Sequence, residues 1–147
     1  MSKNLYYLKQ NANEIIPNLW LGDRFACPHA RALGFSTICV IEDRCDTPGC
    51  IYKRIMPFSV TMMDGSLAVQ VDDNFFNEAV ETVNYYHSRG PTLIHCGAGI
   101  ERSPLTVAMY LVKYSGLTID EAYKLLKEKR HQVEDRRHWL NLLKRIK

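Results

Sequence analysis

The apolar residues of this chain fall into short continuous runs that alternate with longer stretches of helical periodicity. Short runs predict buried β-strands at residues 15–22, 37–41, 52–58 and 92–95. Apolar residues recur at helical spacing from Phe75 to Tyr86, and a Gly-Pro pair follows at 90–91. This segment is therefore expected to be a helix that Asp72 or Asp73 caps.

Capping signals predict further helices. Asp23 is a suitable N-cap for a helix over 23–34, and Ser103 is a suitable N-cap for a helix over 103–116. Residues 118–121 have the sequence of a capping box, which begins a third helix. An apolar stripe predicts a last helix that contains Trp139, Leu140, Leu142, Leu143 and Ile146.

The order of these elements indicates the fold class. The stretch 60–71 is expected to be a loop, because Asp64 and Gly65 lie inside it. Strands and helices otherwise alternate, without internal repeats or a linker that would divide the chain. The pattern predicts an α/β fold in which residues 1–147 form a single domain, with a mainly parallel sheet of four or five strands flanked by helices.

Composition agrees with one globular domain. The chain has 147 residues, 46% of them hydrophobic, and a formal net charge of +3. A domain of this size buries about 70% of the surface of its unfolded chain, which excludes intrinsic disorder. No apolar run approaches the ~18 residues of a transmembrane helix, and residues 1–7 lack the apolar stretch of a signal peptide. We therefore expect an intracellular, cytoplasmic protein without a transmembrane segment.

Charge is distributed unevenly along the chain. Residues 124–147 contain nine Lys or Arg and three Asp or Glu, a net charge of +6, whereas the remainder has a net charge of −3. This basic segment is able to contact a polyanion, although a charged helix face is more often simply solvated.

The five cysteines indicate reduced thiols rather than a disulfide framework, because their number is odd and their spacing irregular. Cys45 and Cys50 resemble half of a zinc site. No second Cys or His pair follows at ligand spacing, so no bound metal is expected.

The segment from His95 to Ser103 carries the strongest candidate chemistry. Cys96 follows a buried strand, at the edge of the sheet where parallel strands bind ligands. The residues after it include two glycines, so their backbone N–H groups can curl around one anion at the start of a helix. The same positive field favours the nucleophilic thiolate of Cys96. The expected anion site consists of Gly97, Ala98, Gly99, Ile100, Glu101 and Arg102.

Two side chains complete this candidate site. Arg102 offers a planar fork that binds two phosphoryl oxygens at once. Ser103 is able to donate a hydrogen bond to the Cys96 sulfur, which holds the thiolate and assists its later departure. A lone cysteine or arginine is usually structural. This order of residues after a β-branched strand instead predicts nucleophilic catalysis on a phosphate group.

The segment resembles the signature His-Cys-x-x-Gly-x-x-Arg-Ser of the cysteine-dependent protein tyrosine phosphatases, specifically of their small dual-specificity branch. The matching residues are His95, Cys96, Gly99, Arg102 and Ser103. The similarity extends to residues 16–22 and 121–122 and covers about 14–146. It implies a dual-specificity phosphatase fold, a phosphocysteine intermediate on Cys96, phosphorylated proteins as substrates, and no metal or organic cofactor.

The resemblance also implies a general acid, an aspartate on a mobile loop upstream of the nucleophile. Asp64 is preferred, because it lies 32 residues before Cys96 and beside a glycine in the predicted loop. Asp72 and Asp73 are alternatives that helix capping already explains. The family pattern gives His95 a supporting role, as a hydrogen-bond partner behind the anion site.

Several alternatives remain open at this stage. Glu101 replaces a commonly small or neutral residue, and we expect it on the rim, where it favours substrates with basic flanks. A phosphoinositide or the 5′-phosphate of an RNA is an alternative substrate that segment 124–147 would contact. A non-catalytic module that binds phosphorylated partners is another alternative function. A sulfur-transfer or redox centre is a further possibility. As regulation, Cys39, Cys45 or Cys50 is able to trap oxidised Cys96 as a disulfide and protect it from further oxidation.

Overall fold

A computed structural model describes residues 3–41 and 43–140. The helices are α1 Lys3–Asn11, α2 Cys27–Ala32, α3 Asp73–His87, α4 Arg102–Ser115 and α5 Ile119–Lys129. The strands are β1 Ala12–Ile16, β2 Leu19–Gly22, β3 Ser36–Cys39, β4 Ile51–Tyr52, β5 Phe58–Thr61, β6 Leu67–Gln70 and β7 Thr92–His95. Two 3₁₀ turns, Arg24–Ala26 and Arg137–Trp139, complete the described elements.

Five strands form one mostly parallel sheet in the order β1-β2-β7-β3-β4. Strand β7 lies in the middle and pairs in parallel with β2 and β3, so that His95 is opposite both Gly22 and Cys39. Only β1 is antiparallel to its neighbour. The prediction of an α/β fold with a mainly parallel sheet of four or five strands is confirmed.

Helices pack on both faces of this sheet. Successive residues of β7 point to opposite sides, as the period of a strand requires. Leu93 packs with Leu8 and Ala30 of α1 and α2. Ile94 belongs to the larger core formed with α3, α4 and α5, which includes Phe76 and Leu105. Burial of both faces explains the continuous apolar run of β7.

Local capping signals are reproduced. Asp72 caps α3. Asp23 accepts a hydrogen bond from the backbone of Ala26, but it caps the 3₁₀ turn Arg24–Ala26, and the helix predicted over 23–34 is only Cys27–Ala32, whose N-cap Ala26 makes no side-chain bond. Thr118 and Glu121 form the complete capping box of α5. Helix α4 ends before Gly116, which adopts the left-handed conformation expected after a helix.

Two predicted strands are wrong in extent. The run 15–22 is an antiparallel hairpin of β1 and β2 rather than one strand, and Asn18 in its turn has a φ of 68°. Asparagine tolerates this left-handed conformation better than most residues. The chain therefore turns at Asn18 without the glycine that would have marked a turn in the sequence. Of the candidate strand 52–58, only Tyr52 pairs with the main sheet, as the last residue of β4, which begins at Ile51. Helix α1 was not predicted.

The stretch 60–71 is also corrected. It is not a loop throughout, because β5 and β6 pair as an antiparallel hairpin with Asp64 in its tip. Side chains of both strands are largely exposed, so this hairpin lacks the apolar alternation that identifies a half-buried strand. Val60 and Val69 still supply β-branched residues that favour extended backbone.

The predicted last helix is wrong where the structure describes it. Trp139 ends a 3₁₀ turn, and Leu140 is extended and forms a parallel bridge with Val71. Both apolar side chains are buried, but they pack from an irregular segment. The remaining members of the stripe, Leu142, Leu143 and Ile146, lie outside the described residues. Among the residues described, no helix has both the length and the apolar character to cross a membrane.

Candidate active site

The candidate nucleophile lies at the carboxyl end of the central strand β7. The Cys96 side chain is 3% exposed, and its sulfur is 3.1 Å from the hydroxyl oxygen of Ser103. Ser103 is buried in the first turn of α4, whose N-cap is Glu101. The expectation that Ser103 caps this helix is therefore wrong. The N-cap lies two residues earlier than predicted, at Glu101, so Ser103 is inside the helix and its hydroxyl is free to bond the sulfur.

Arg130 holds the backbone of the Cys96–Glu101 loop from behind. Its Nη2 and Nε donate hydrogen bonds to the carbonyl oxygens of Ala98 and Gly99, at 3.0 and 2.9 Å. Its Nη1 donates to the Asn13 side chain at 2.9 Å. Burial lowers the pKa of Arg130, whereas the negative charges of Asp23 and Cys96 oppose this effect. Arg130 is thus a buried cation whose donors are directed at loop carbonyls.

The two neighbouring carbonyls of the loop, those of Gly97 and Ile100, also accept hydrogen bonds from backbone N–H groups outside the loop. The backbone N–H of Arg24 donates to the Gly97 carbonyl, and that of Glu134 donates to the Ile100 carbonyl, at 3.2 and 2.9 Å. In a trans peptide the carbonyl and the following N–H point in opposite directions. The N–H groups of residues 98–101 are therefore directed away from these anchors, toward the concave side of the loop.

Gly99 is required by this arrangement. It has a φ of 72°, in the left-handed region that side chains other than glycine seldom adopt. A Cβ atom there would lie 2.6 Å from the Gly22 carbonyl oxygen and 2.8 Å from Nη2 of Arg130. The glycine in the signature is thus explained by a close approach of β2 and Arg130 to the loop.

His95 is fully buried behind the loop. Its Nδ1 is 3.2 Å from the carbonyl oxygen of Cys96, and its Nε2 is 3.5 Å from the sulfur of Cys50. A proton on Nδ1 satisfies this carbonyl, which leaves Nε2 as the acceptor. The position agrees with the supporting role expected for His95.

The loop encloses one side of an open cavity of about 320 Å³. Its lining residues are Cys96, Gly97, Ala98, Ile100, Glu101, Arg102 and Glu134. All the predicted anion-site residues except Gly99 line it, and Gly99 shapes it through its backbone. A cavity of this size, with a sulfur and an arginine in its wall, accommodates a phosphoryl group.

Carboxylates at the rim of the cavity share one arginine. Glu101 accepts hydrogen bonds from Arg136, whose Nη2 lies 2.8 Å from the carboxylate, and Glu134 lies 2.6 Å from the same nitrogen. Glu101 therefore faces the rim, as expected. Two carboxylates and one guanidinium leave a net negative charge there.

Asp64 lies away from this cavity. At the tip of the β5–β6 hairpin it accepts hydrogen bonds from the N–H and the hydroxyl of Ser66, at 2.9 and 2.6 Å. These bonds lower the pKa of Asp64, which stabilises the ionised form rather than the acid. Within the described part of the chain, Asp64 is not among the residues that line the cavity. Of the two alternatives, Asp72 caps α3 and Asp73 is the first residue of that helix.

Sequence reasoning missed Arg130, Glu134 and Arg136 as contributors to the site. All three were treated only as part of the basic segment 124–147. An arginine at the end of an amphipathic helix carries no local signal that distinguishes a buried position from a solvated one. Only the return of this segment to the loop gives these residues their contacts.

Comparison with known proteins agrees with the geometry. The family model for the dual specificity phosphatase catalytic domain matches residues 24–146. The Dictyostelium discoideum MAP kinase phosphatase with leucine-rich repeats protein 3 is 30% identical over an alignment of 126 positions that covers 83% of this chain and 14% of that protein. Human dual specificity protein phosphatase 16 is 28% identical over an alignment of 140 positions that covers 88% of this chain and 20% of that protein. The chain thus spans a fifth or less of the length of these two relatives.

Solved structures share the fold. A mouse putative dual specificity phosphatase, crystallised with zinc tungstate, superposes with a TM-score of 0.69 at 19% identity, over 92% of this chain and 85% of that one. The family model covers most of this chain and includes the loop with Cys96 and Arg102. The chain therefore belongs to the dual-specificity phosphatase catalytic-domain family.

Proposed function

We propose that this chain hydrolyses phosphomonoesters through a phosphocysteine intermediate. The observation that carries the proposal is the outward anchoring of consecutive loop carbonyls around Cys96. This anchoring directs the following N–H groups toward the space in front of the sulfur. Preorganised donors of this kind stabilise the charge that develops on phosphoryl oxygens in the transition state.

The first step transfers the phosphoryl group to sulfur. The Cys96 thiolate attacks phosphorus, a sulfur–phosphorus bond forms, and the bond from phosphorus to the ester oxygen breaks. The leaving oxygen takes a proton from a general acid. Arg102, in the wall of the cavity, binds two equatorial oxygens throughout.

The second step returns the enzyme to its starting state. Water attacks the phosphocysteine, the sulfur–phosphorus bond breaks, and inorganic phosphate leaves. The general acid, now ionised, accepts the proton of this water. The Ser103 hydroxyl, 3.1 Å from the sulfur, donates a hydrogen bond that stabilises the departing thiolate.

We assign the general acid to Asp64. It lies at the tip of an exposed hairpin, and a tip of this kind can close over a cavity when substrate binds. Closure would remove Asp64 from solvent and from Ser66, and burial raises the pKa of a carboxyl group toward the value an acid needs. Glu134, which already lines the cavity, is the rival. Its carboxylate is bound to Arg136 at 2.6 Å, and this pairing is the argument against it.

Phosphorylated proteins, on tyrosine and on serine or threonine, are the proposed substrates. The cavity is open, so it admits both long aromatic and short aliphatic phosphoryl carriers. The negative rim formed by Glu101, Glu134 and Arg136 favours phosphopeptides with basic flanks. Free thiols at all five cysteines fit a reducing compartment such as the cytoplasm.

A phosphoinositide or a 5′-phosphorylated RNA is a less favoured substrate, because the described arginines of the basic segment 124–147 are committed to internal contacts. In its described part, Arg130 is buried under the loop, and Arg136 and Arg137 form ion pairs with neighbouring carboxylates. Lys124 and Lys127 remain at a surface shared with acidic side chains. Among the described residues of the segment, a polyanion contact would depend on Lys124, Lys127 and the exposed Lys129.

A substrate panel tests the proposal. Phosphotyrosine and phosphoserine peptides, a phosphoinositide and a 5′-triphosphorylated RNA are compared for phosphate release. We expect release from both peptides, loss of turnover in Cys96→Ser with retained phosphopeptide binding, and full activity in the matched control Cys39→Ala. Binding of phosphopeptide by the unaltered chain without any phosphate release, even from an aryl phosphate, would instead establish a non-catalytic phosphate-binding module.

A further inference from the structure

Four potential metal ligands converge behind the catalytic loop. The sulfurs of Cys27, Cys45 and Cys50 and one ring nitrogen of His95 all lie within 4.8 Å of one another. Cys27 and His95 are fully buried, and Cys45 and Cys50 are half-buried. The mechanism proposed above uses none of the three thiols. This cluster therefore has no role in phosphoryl transfer that would explain its composition.

Three separate parts of the fold supply these ligands. Cys27 is the first residue of α2, Cys45 and Cys50 lie on the connection between β3 and β4, and His95 ends β7. The Cys45–Cys50 segment turns back on itself, because the N–H of Cys50 bonds to the Thr47 carbonyl. Gly49 has a φ of 84°, which this turn requires. A tight turn between two cysteines a few residues apart is a common source of zinc ligands.

The histidine presents the correct nitrogen. Its Nδ1 is bonded to the Cys96 carbonyl at 3.2 Å, so the free lone pair is on Nε2, which lies 3.5 Å from the Cys50 sulfur. Histidines that bind metals generally donate their other ring N–H to a carbonyl or a carboxylate in this way. The imidazole is therefore already fixed in the orientation and tautomer that a metal needs.

Distances in the cluster agree with a tetrahedral zinc centre. Zinc–sulfur and zinc–nitrogen bonds of about 2.3 and 2.0–2.1 Å imply ligand separations of about 3.6–3.8 Å. The observed Cys50–His95 separation is 3.5 Å, and no pair exceeds 4.8 Å. A contraction of about 1 Å or less brings all four ligand atoms to the required positions.

We propose that Cys27, Cys45, Cys50 and His95 form a structural Zn²⁺ site. Three thiolates and one imidazole are the ligands that select zinc over the oxygen-binding cations. On binding, three thiol protons are released to solvent and four bonds to the metal form, without any change of oxidation state. With four protein ligands the metal has no open position, so it stabilises structure and takes no part in the reaction.

The site connects the metal to the catalytic loop. His95 would bind zinc through Nε2 while its Nδ1–H holds the carbonyl of the nucleophile Cys96. The same metal would tie the β3–β4 connection to α2, two segments that otherwise meet through a small apolar cluster. Zinc would thus act as a positioning group for the loop.

An alternative is a disulfide between two of the clustered cysteines. A disulfide would engage two of the three sulfurs and would not use Nε2 of His95, whereas a metal ion engages all four ligand atoms. The geometry of the cluster therefore favours metal binding over oxidation.

Metal analysis of the purified chain tests the site. The protein is produced with zinc in the medium and purified under reducing conditions, and its metal content is measured by mass spectrometry. We expect one Zn²⁺ per chain, reduced to a small fraction in Cys45→Ser and in Cys50→Ser. The controls Cys39→Ala and Cys96→Ser remove cysteines outside the cluster and should retain the full equivalent. Because Cys96→Ser is inactive by design, metal content is independent of the proposed phosphatase activity.

A second measurement covers variants that fail to fold. The unaltered chain, stripped of metal and titrated with Co²⁺, should develop the visible d–d and sulfur-to-cobalt absorption of a tetrahedral thiolate site, saturating at one equivalent. Subsequent Zn²⁺ should abolish this spectrum, and a chelator should lower the melting temperature. A metal-free protein with no cobalt spectrum would overturn the proposal, as would loss of two free thiols to a Cys45–Cys50 or Cys27–Cys50 disulfide.

Discussion

Arg130 illustrates how one buried side chain determines the geometry of a catalytic loop. Its guanidinium satisfies two loop carbonyls and Asn13 at the same time, which only the planar fork of arginine can do. It touches neither substrate nor sulfur in the proposed reaction. Its role is to keep the carbonyls turned away from the anion, and it is therefore a positioning residue.

Replacement of Arg130 by lysine should lower kcat by about 10²-fold, the order expected when reacting groups are slightly misplaced. A lysine cannot bond both carbonyls, so the affinity for inorganic phosphate should fall as well, measured as competitive inhibition. Arg137→Lys, in a surface ion pair, is the matched control and should change neither quantity. Unchanged phosphate affinity in Arg130→Lys, with reduced melting temperature alone, would make the arginine merely structural.

Asp64→Asn should slow hydrolysis of substrates with poor leaving groups by about 10²- to 10⁴-fold, because these need a proton from the general acid. Activated aryl phosphates, whose leaving group needs no proton, should be hydrolysed at nearly the normal rate. The measurement is kcat across a series of phosphate esters with increasing leaving-group pKa. Glu134→Gln is examined in parallel, and if it shows this selectivity while Asp64→Asn does not, Glu134 is the acid.

At the scale of elements, features that depend on neighbouring residues were predicted better than features that depend on backbone pairing. The helix caps at Asp72 and Thr118 were predicted because a cap involves only the next few residues, whereas Asp23 caps a 3₁₀ turn that precedes α2. The β5–β6 hairpin and the extended Leu140 were missed, because their backbone partners were not evident from local pattern. The N-cap of α4 was predicted two residues too late, at Ser103, because the true N-cap Glu101 makes no side-chain cap bond that would identify it.

Asp72→Ala should destabilise the protein by about 1 kcal/mol, because two backbone N–H groups of α3 lose their acceptor. Asp72→Ser retains a capping oxygen and should be close to unaltered in stability. Both are measured by urea denaturation. Hydrolysis of poor leaving groups should be unaffected in both variants, and a selective loss there would return Asp72 to the candidates for general acid.

At the scale of the whole molecule, the net charge of +3 does not describe the surface that substrate meets. The basic segment 124–147 folds so that its described arginines neutralise carboxylates or support the loop. The rim of the cavity is negative as a result. Substrate preference should therefore follow local charge rather than total charge.

Glu101→Ser should reduce the preference for basic-flanked over acidic-flanked phosphopeptides several-fold, because one carboxylate leaves the rim. The ratio of kcat/KM for the two peptides measures it, at low and at high ionic strength, since salt should weaken the preference in the unaltered chain. Glu78→Gln removes a carboxylate from the Lys53 ion pair on α3 and should leave the ratio unchanged. Equal ratios for Glu101→Ser and the unaltered chain would contradict a role for the rim.

The sequence by itself determined the strand–loop–helix unit around Cys96 and the α/β order of elements, because each depends on residues close together in the chain. Only the tertiary structure decided what surrounds that unit. Arg130 and Glu134 reach the loop from more than thirty residues away, and Cys27 joins Cys45, Cys50 and His95 from separate elements. The spacing of residues along the chain carries no information about these long-range contacts, since they depend on how helices and connections pack against the sheet.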